Sequence, residues 1–202
     1  LEDYVLKTPP SAEPITLEEV RFNLHVDSED DNDDLSRLIV VARRTVETVT
    51  RRVLMPQTWI ARYNGFPKGL GCIELPYPPC RAVTSVKYYD SEAVLQTLSP
   101  TTGYQVSGLP ISDVCSDTPA AIHLRYGEIW PAVELGRVEG VQIEFTCGYP
   151  SANSVPAEIK QAMHLMIGHW YANKEDSLVG TIITKIPNGA ETLLFPYRDL
   201  RF

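Results

Sequence analysis

The sequence is sparing in the residues that usually carry chemistry. Its 202 residues include four cysteines, four histidines and three methionines. Cys72, Cys80, Cys115 and Cys147 are spaced too widely for a zinc knuckle, and no C-x-x-C occurs. They are expected to be reduced, partly buried thiols, since a disulfide framework belongs to much smaller secreted chains. No run of about 18 apolar residues is present, so nothing is expected to cross a bilayer. No charged-then-apolar leader opens the sequence either, and the expectation is an intracellular protein. The first residue is Leu1 rather than Met, and that expectation applies to the chain as it stands. Basic residues are also scarce: 18 Lys and Arg against 26 Asp and Glu give a net charge of −8. A protein built to grip nucleic acid neutralises phosphates with clustered cations, so that class is disfavoured.

Catalytic signatures are missing as well. There is no Gly-x-Ser-x-Gly elbow, P-loop or dinucleotide glycine fingerprint, and Gly69-Leu70-Gly71 is a lone turn. His164 and His169 are five residues apart and fall on different faces of a helix, and no H-E-x-x-H exists. Asp27, Glu29 and Asp31 alternate like the opening of a calcium loop. The sixth position is Asn32 where Gly is needed, and the twelfth is Leu38 where a bidentate Glu is needed. The chain is therefore read as a non-enzyme that requires no metal or cofactor.

What is present is enough apolar sequence for a substantial core, 44% against 22% charged. Thr16 with Glu19 forms a capping-box pattern ahead of Leu17, Val20 and Leu24, which predicts a short helix ending near His25 or Val26. The acidic run Asp27–Asp34 (DSEDDNDD), with six carboxylates, should sit at the positive end of the next helix dipole. Leu35, Leu38, Ile39, Ala42, Val46, Val49 and Val53 then make a stripe at spacings of three and four, a long amphipathic helix ended before Pro56. Arg43, Arg44, Arg51 and Arg52 are expected on that helix. Paired with Asp30, Asp31, Asp33 and Asp34, they suggest head-to-tail charge contacts between copies.

From residue 57 the period changes to that of strands. Seven short stretches rich in β-branched and aromatic residues are predicted: 58–63, 72–75, 83–89, 93–98, 104–106, 121–126 and 141–146. Pro67, Pro76, Pro78, Pro79, Pro100, Pro110, Pro119 and Pro131 punctuate them and should mark turns and edges. The aromatics here (Trp59, Tyr63, Phe66, Tyr77, Tyr88, Tyr89, Tyr104, Tyr126, Trp130) read as core and turn packing. The alternative is a ligand- or carbohydrate-binding β module. Helix resumes at Val155-Pro156 with Ile159, Ala162, Met163, Met166, Ile167, Trp170 and Tyr171 on one face. Ser177–Ile186 is apolar without helical period, and residues 190–197 allow one short helix disturbed by Pro196.

The predicted fold class is α+β. A helical layer of residues 1–56 and 150–176 is interrupted by a compact antiparallel β domain, 57–149, and followed by a tail, 177–202. Neither helical flank can bury its stripe alone, so the two are expected to share one layer. Apolar residues in the tail have no obvious place in that layer.

The whole chain resembles the phage head–tail connector, or adaptor, family of the type with an inserted β domain. The matching stretches begin with Leu6-Lys7-Thr8-Pro9-Pro10, the segment Glu13 to Glu19 (EPITLEE) and the Asp-rich turn. Arg51 to Trp59 (RRVLMPQTW), Glu74 to Pro79 (ELPYPP) and Val83 to Tyr88 (VTSVKY) follow. Gly127-x-x-Trp130-Pro131, Gly148-Tyr149, Val155 to Lys174 (VPAEIKQAMHLMIGHWYANK) and Leu194-Phe195-Pro196-Tyr197-Arg198 complete the series. The resemblance implies a structural ring subunit, usually of twelve copies, in the neck of the virion of a tailed phage, prophage or gene transfer agent, assembled in the host cytoplasm. Its partners would be further copies of itself, the portal protein and a tail-side stopper or completion protein, with packaged DNA passing through and no membrane. A net acidic protein lets DNA slide without gripping it, and in such a ring Asp30, Asp31, Asp33 and Asp34 are expected to face the channel or an adjacent helix bearing Arg43, Arg44, Arg51 and Arg52. Leu193, Leu194, Phe195, Tyr197, Arg198 and Phe202 are the expected docking residues for the portal or a neighbouring subunit.

Overall fold

The computed structural model describes residues 2–110, 118–173 and 187–199. The chain divides into two compact units. One joins Leu1–Pro10 to Pro56–Pro150, the other Ser11–Met55 to Ser151–Phe202.

The first unit is antiparallel β. Strands β1 (Glu2–Thr8), β2 (Gln57–Tyr63), β3 (Ile73–Glu74), β4 (Cys80–Tyr89), β5 (Leu95–Thr97), β6 (Tyr104–Ser107), β7 (Ala121–Leu124) and β8 (Val141–Cys147) make two sheets. The larger has the order β1-β2-β8-β4-β5, the smaller β3-β7-β6. β8 is paired on both sides, and its Val141, Ile143, Phe145 and Cys147 are buried in strict alternation, as a pleat with one apolar face requires. All seven predicted strands are present, and each of the eight prolines named above lies outside them, where a missing N–H breaks no ladder.

β1 was not anticipated. Residues 2–8 pair with β2 from Glu2↔Tyr63 onward, so the first ten residues belong with the strands rather than with the helices. Tyr4 anchors this edge strand by edge-on contacts with Tyr63 (6.4 Å) and Tyr77 (5.9 Å). Lys7 reaches Glu144 of β8 at 2.7 Å. The polarity of β1 does not alternate cleanly, because the face with Asp3 and Lys7 is held by ion pairs and the Tyr4 face by aromatic rings.

In the second unit α1 (Leu17–Leu24) opens on the predicted capping box. Thr16 Oγ1 accepts from Glu19 N (3.1 Å), and Thr16 N donates to Glu19 Oε2 (2.6 Å), which satisfies two otherwise orphaned amides. His25, in the left-handed region at φ 55°, ends the helix. Thr16→Ala should lower stability by about 1 kcal/mol, read as an earlier urea midpoint at unchanged slope.

α2 (Asn32–Thr50) buries Leu35, Ile39, Ala42, Arg43, Val46 and Thr50. α3 (Ala157–Ala172) buries Ile159, Ala162, Met163, Met166 and Ile167 against it. Where α3 passes α1, a Cβ on Gly168 would lie 3.3 Å from Leu24 Cδ2, so glycine permits the close approach. α4 (Asn188–Leu194) packs on α3 and α2.

Candidate interaction surfaces

The charged residues singled out in the sequence separate into interior and surface groups. α2 stops at Thr50, and Arg51 at φ 55° turns the chain, so Arg51 and Arg52 are not on the helix with Arg43 and Arg44. Arg43 lies on the apolar stripe between Ile39, Ala42 and Val46 and is buried with them. Its Nε donates to Glu13 Oε2 (2.7 Å) and its Nη1 to Glu47 Oε2 (2.9 Å). Burial opposes the charge, but the two carboxylates outweigh it and hold the guanidinium pKa above its ordinary value. Glu47 also accepts from Leu54 N (3.0 Å), tying the turn after α2 to the same cluster. Arg52 is buried too, with Nε donating to the Tyr197 carbonyl at 2.7 Å. The expectation that Arg43 and Arg52 meet a neighbouring copy or a channel is thus corrected: both are internal ties, and of the four arginines Arg44 and Arg51 are exposed.

The acidic run is mostly on the surface. Asp33 and Asp34 occupy the first turn of α2, and Asp34 pairs with Arg37. Asp30 accepts from Ser28 Oγ (2.8 Å). Asp31 precedes α2 and accepts from Tyr171 Oη (2.7 Å), joining the start of α2 to α3.

The C-terminal residues also divide. Leu194 is completely buried, so it belongs to the core and is not a docking side chain. Leu193 is half-buried, whereas Phe195 is 61% exposed. A 3-10 turn over Phe195–Tyr197 follows α4. Tyr197 Oη donates to Glu158 Oε2 (2.9 Å), Arg198 pairs with Glu191 (3.1 Å), and Asp199 N donates to the Thr50 carbonyl (3.0 Å) at the end of α2. Residues 188–199 are therefore knitted into the helical unit, which does offer a place for their apolar side chains. Phe202, Ser177–Ile186 and Cys115 lie outside the described residues.

Two cysteines and two histidines singled out in the sequence lie among the described residues in packed or hydrogen-bonded positions. Burial pushes the Cys80 thiol up to about 11, and Cys147 is buried opposite it on β8. His123 meets Ser107 Oγ at 2.8 Å. Burial pushes His164 below the usual imidazole value. Among the described residues no three His, Cys, Asp or Glu side chains converge as metal ligands would.

Several aromatic rings in the β unit pack on one another: Phe66 stacks on Trp130 at 4.7 Å and 9°, and Trp59 lies 4.6 Å from Tyr77, whereas Tyr126 is wholly exposed, against the packing reading of that residue. For Phe66, Trp130, Trp59 and Tyr77 that matches the packing reading. A different surface was missed. The loops 64–71 and 125–139 expose Leu70, Tyr126, Ile129, Leu135 and Val138. These residues share no period; in the sequence Leu70 stood out only within the Gly69-Leu70-Gly71 turn, Tyr126 only as an aromatic, and Ile129 only within the Gly127-x-x-Trp130-Pro131 turn.

No protein-family model matches the chain, and no curated protein does. Solved structures share its fold along nearly the whole length. A chain in the virion of a native gene transfer agent particle superposes with a TM-score of 0.76 at 20% identity, covering 98% of this chain and 96% of that one. A chain from the neck of an empty particle of that kind, computed with C6 symmetry, gives 0.74 at 20% identity and covers 100% and 97%. One from the neck of the native particle, computed with C12 symmetry, gives 0.70 at 21% and covers 100% and 97%. The α+β architecture of this chain is thus one also found in particle necks.

Proposed function

We propose that this chain is a structural head–tail connector, or adaptor, subunit. It forms a ring at the neck of a tailed phage or phage-like particle, joining the portal to a tail-side protein around the path of the DNA. The observation that carries this reading is the end-to-end likeness to chains of particle necks, covering both units and not the β unit alone. The sequence resemblance to the connector family points the same way independently. A net charge of −8 suits a subunit past which DNA moves.

A closed ring built head to tail needs two different complementary patches on each copy. Exposed Arg44 and Arg51 on one copy and Asp30 and Asp33 on the next supply one pair of opposite sign. Phe195 is the docking residue for the portal, with the rest of its turn held in place by Tyr197 and Arg198. The test is co-purification with the portal protein. Phe195→Asp should reduce portal capture by at least about tenfold, as loss of an apolar anchor does, with an unchanged melting curve. Undiminished capture would remove Phe195 from the interface.

A further inference from the structure

Two buried thiols of the β unit face each other across adjacent strands. Cys80 is the first residue of β4 and Cys147 the last of β8, and the register sets them directly opposite one another. Antiparallel partners are of two kinds, and the hydrogen bonds tell which this pair is. Gly148 N donates to the Pro79 carbonyl (2.8 Å), a bond between the residues just outside the pair, which marks a pair that makes no such bond of its own. The other end of the ladder agrees. There Tyr89 N donates to the Gly140 carbonyl (2.9 Å) just outside Tyr88 and Val141, and steps of two along β8 lead from Val141 through Ile143 and Phe145 to Cys147. In a pair of this kind the two side chains lie on one face of the sheet and come closest, and the spacing is within the span that a disulfide bridges.

Both residues hold thiols in the structure, each turned onto a backbone carbonyl. Cys80 Sγ lies 3.6 Å from the Thr146 oxygen, and Cys147 Sγ lies 3.9 Å from the Gln57 oxygen. Rotation about each Cα–Cβ bond to another staggered position turns the sulfurs toward one another. Neither thiol reacts readily where it rests, because both are buried and burial holds Cys80 well above the usual thiol value, at about 11. Their place in the sheet supplies the access. They share one end of the β4–β8 ladder, where fraying exposes them while the rest of the sheet stays closed.

We propose that Cys80 and Cys147 form a cross-strand disulfide when the protein meets a low-molecular-weight disulfide such as oxidised glutathione. One protein thiolate displaces a glutathione thiolate to give a mixed disulfide, and the second protein thiolate then displaces the other. The two protein thiols lose two electrons and two protons, and the S–S bond of oxidised glutathione breaks to give two glutathione thiols. The new bond closes the stretch that carries β5, β6 and β7, so it stabilises the β unit by restricting the unfolded chain. It depends on the register of β4 and β8 and is independent of the ring reading.

The experiment uses the full chain with Cys72 and Cys115 replaced by serine, which leaves this pair as its only thiols. The protein is incubated with oxidised glutathione in urea just below the unfolding transition, alkylated with N-ethylmaleimide in full denaturant, and weighed by intact-mass spectrometry. The expected product is a monomer lighter by two hydrogens that takes up no maleimide. Its melting temperature should stand at least about 4 °C above that of the reduced form, and a phosphine reductant should abolish the difference. Cys80→Ser in the same background should show neither the mass loss nor the gain in melting temperature. Two bound glutathiones, two maleimides on the chain, or a disulfide-linked dimer would each overturn the pairing. A loss of two hydrogens with an unchanged or lower melting temperature would overturn its placement across the native strands.

Discussion

Replacing Arg43 with alanine is expected to destabilise the helical unit by about 3 kcal/mol, because it leaves the carboxylates of Glu13 and Glu47 facing each other without their cation. The low end of the range for breaking a buried pair applies, since Glu13 keeps more contact with water than Arg43 does. For a chain of this size that is a fall in melting temperature of about 6–12 °C, followed by circular dichroism at 222 nm. Arg44→Ala, one residue along but exposed, should change stability by no more than about 0.5 kcal/mol. Arg43→Lys should fall between, keeping the charge but losing the planar fork that reaches both acids at once. If the two arginines were equivalent surface charges, both alanine variants would melt with the natural protein.

The second large effect separates two adjacent apolar residues. Leu194→Ala should cost about 3 kcal/mol, because its fully buried side chain leaves a cavity that its neighbours in α2 and α3 close only in part. Phe195→Ala, mostly exposed, should cost less than about 0.5 kcal/mol. Urea titration decides it. Equal, small losses at both positions would mean that α4 is not part of the core. Removing residues 188–199 altogether should also uncap α2, whose Thr50 carbonyl accepts from Asp199 N.

These residues show what a single sequence reveals. The strands were legible because alternation, β-branching and proline punctuation coincide between residues 57 and 147, and all seven predicted ones form. β1 was not, because an edge strand with charges at Asp3 and Lys7 has one dry side at most, and pairing with β2 supplies what its own pattern lacks. Arg43 was read by its charge although its spacing from Ile39 and Val46 already placed it inside. The carboxylates that make this tolerable are 30 and 4 residues away in sequence. Leu194 was read as spare because a seven-residue helix followed by proline is too short to show a period, and only its packing on α3 reveals its face. The capping box at Thr16, by contrast, is a purely local device and was fully legible.

The same limit applies to the interaction surfaces. Exposed Leu135 and Ile129 have no signature in the sequence, since loops carry no periodicity against which an apolar residue stands out. Only the structure shows that the loops carrying them are tied down by Trp130, Arg62 and Arg137.

Copies of this chain should assemble, alone or on the portal. Mass photometry of the purified protein, alone and mixed with portal protein, measures it. The prediction is a discrete ring, of six-fold or twelve-fold order by analogy with the symmetries of the similar necks, or a complex that forms only on the portal. A single species at the 22.6 kDa monomer mass under both conditions would contradict it.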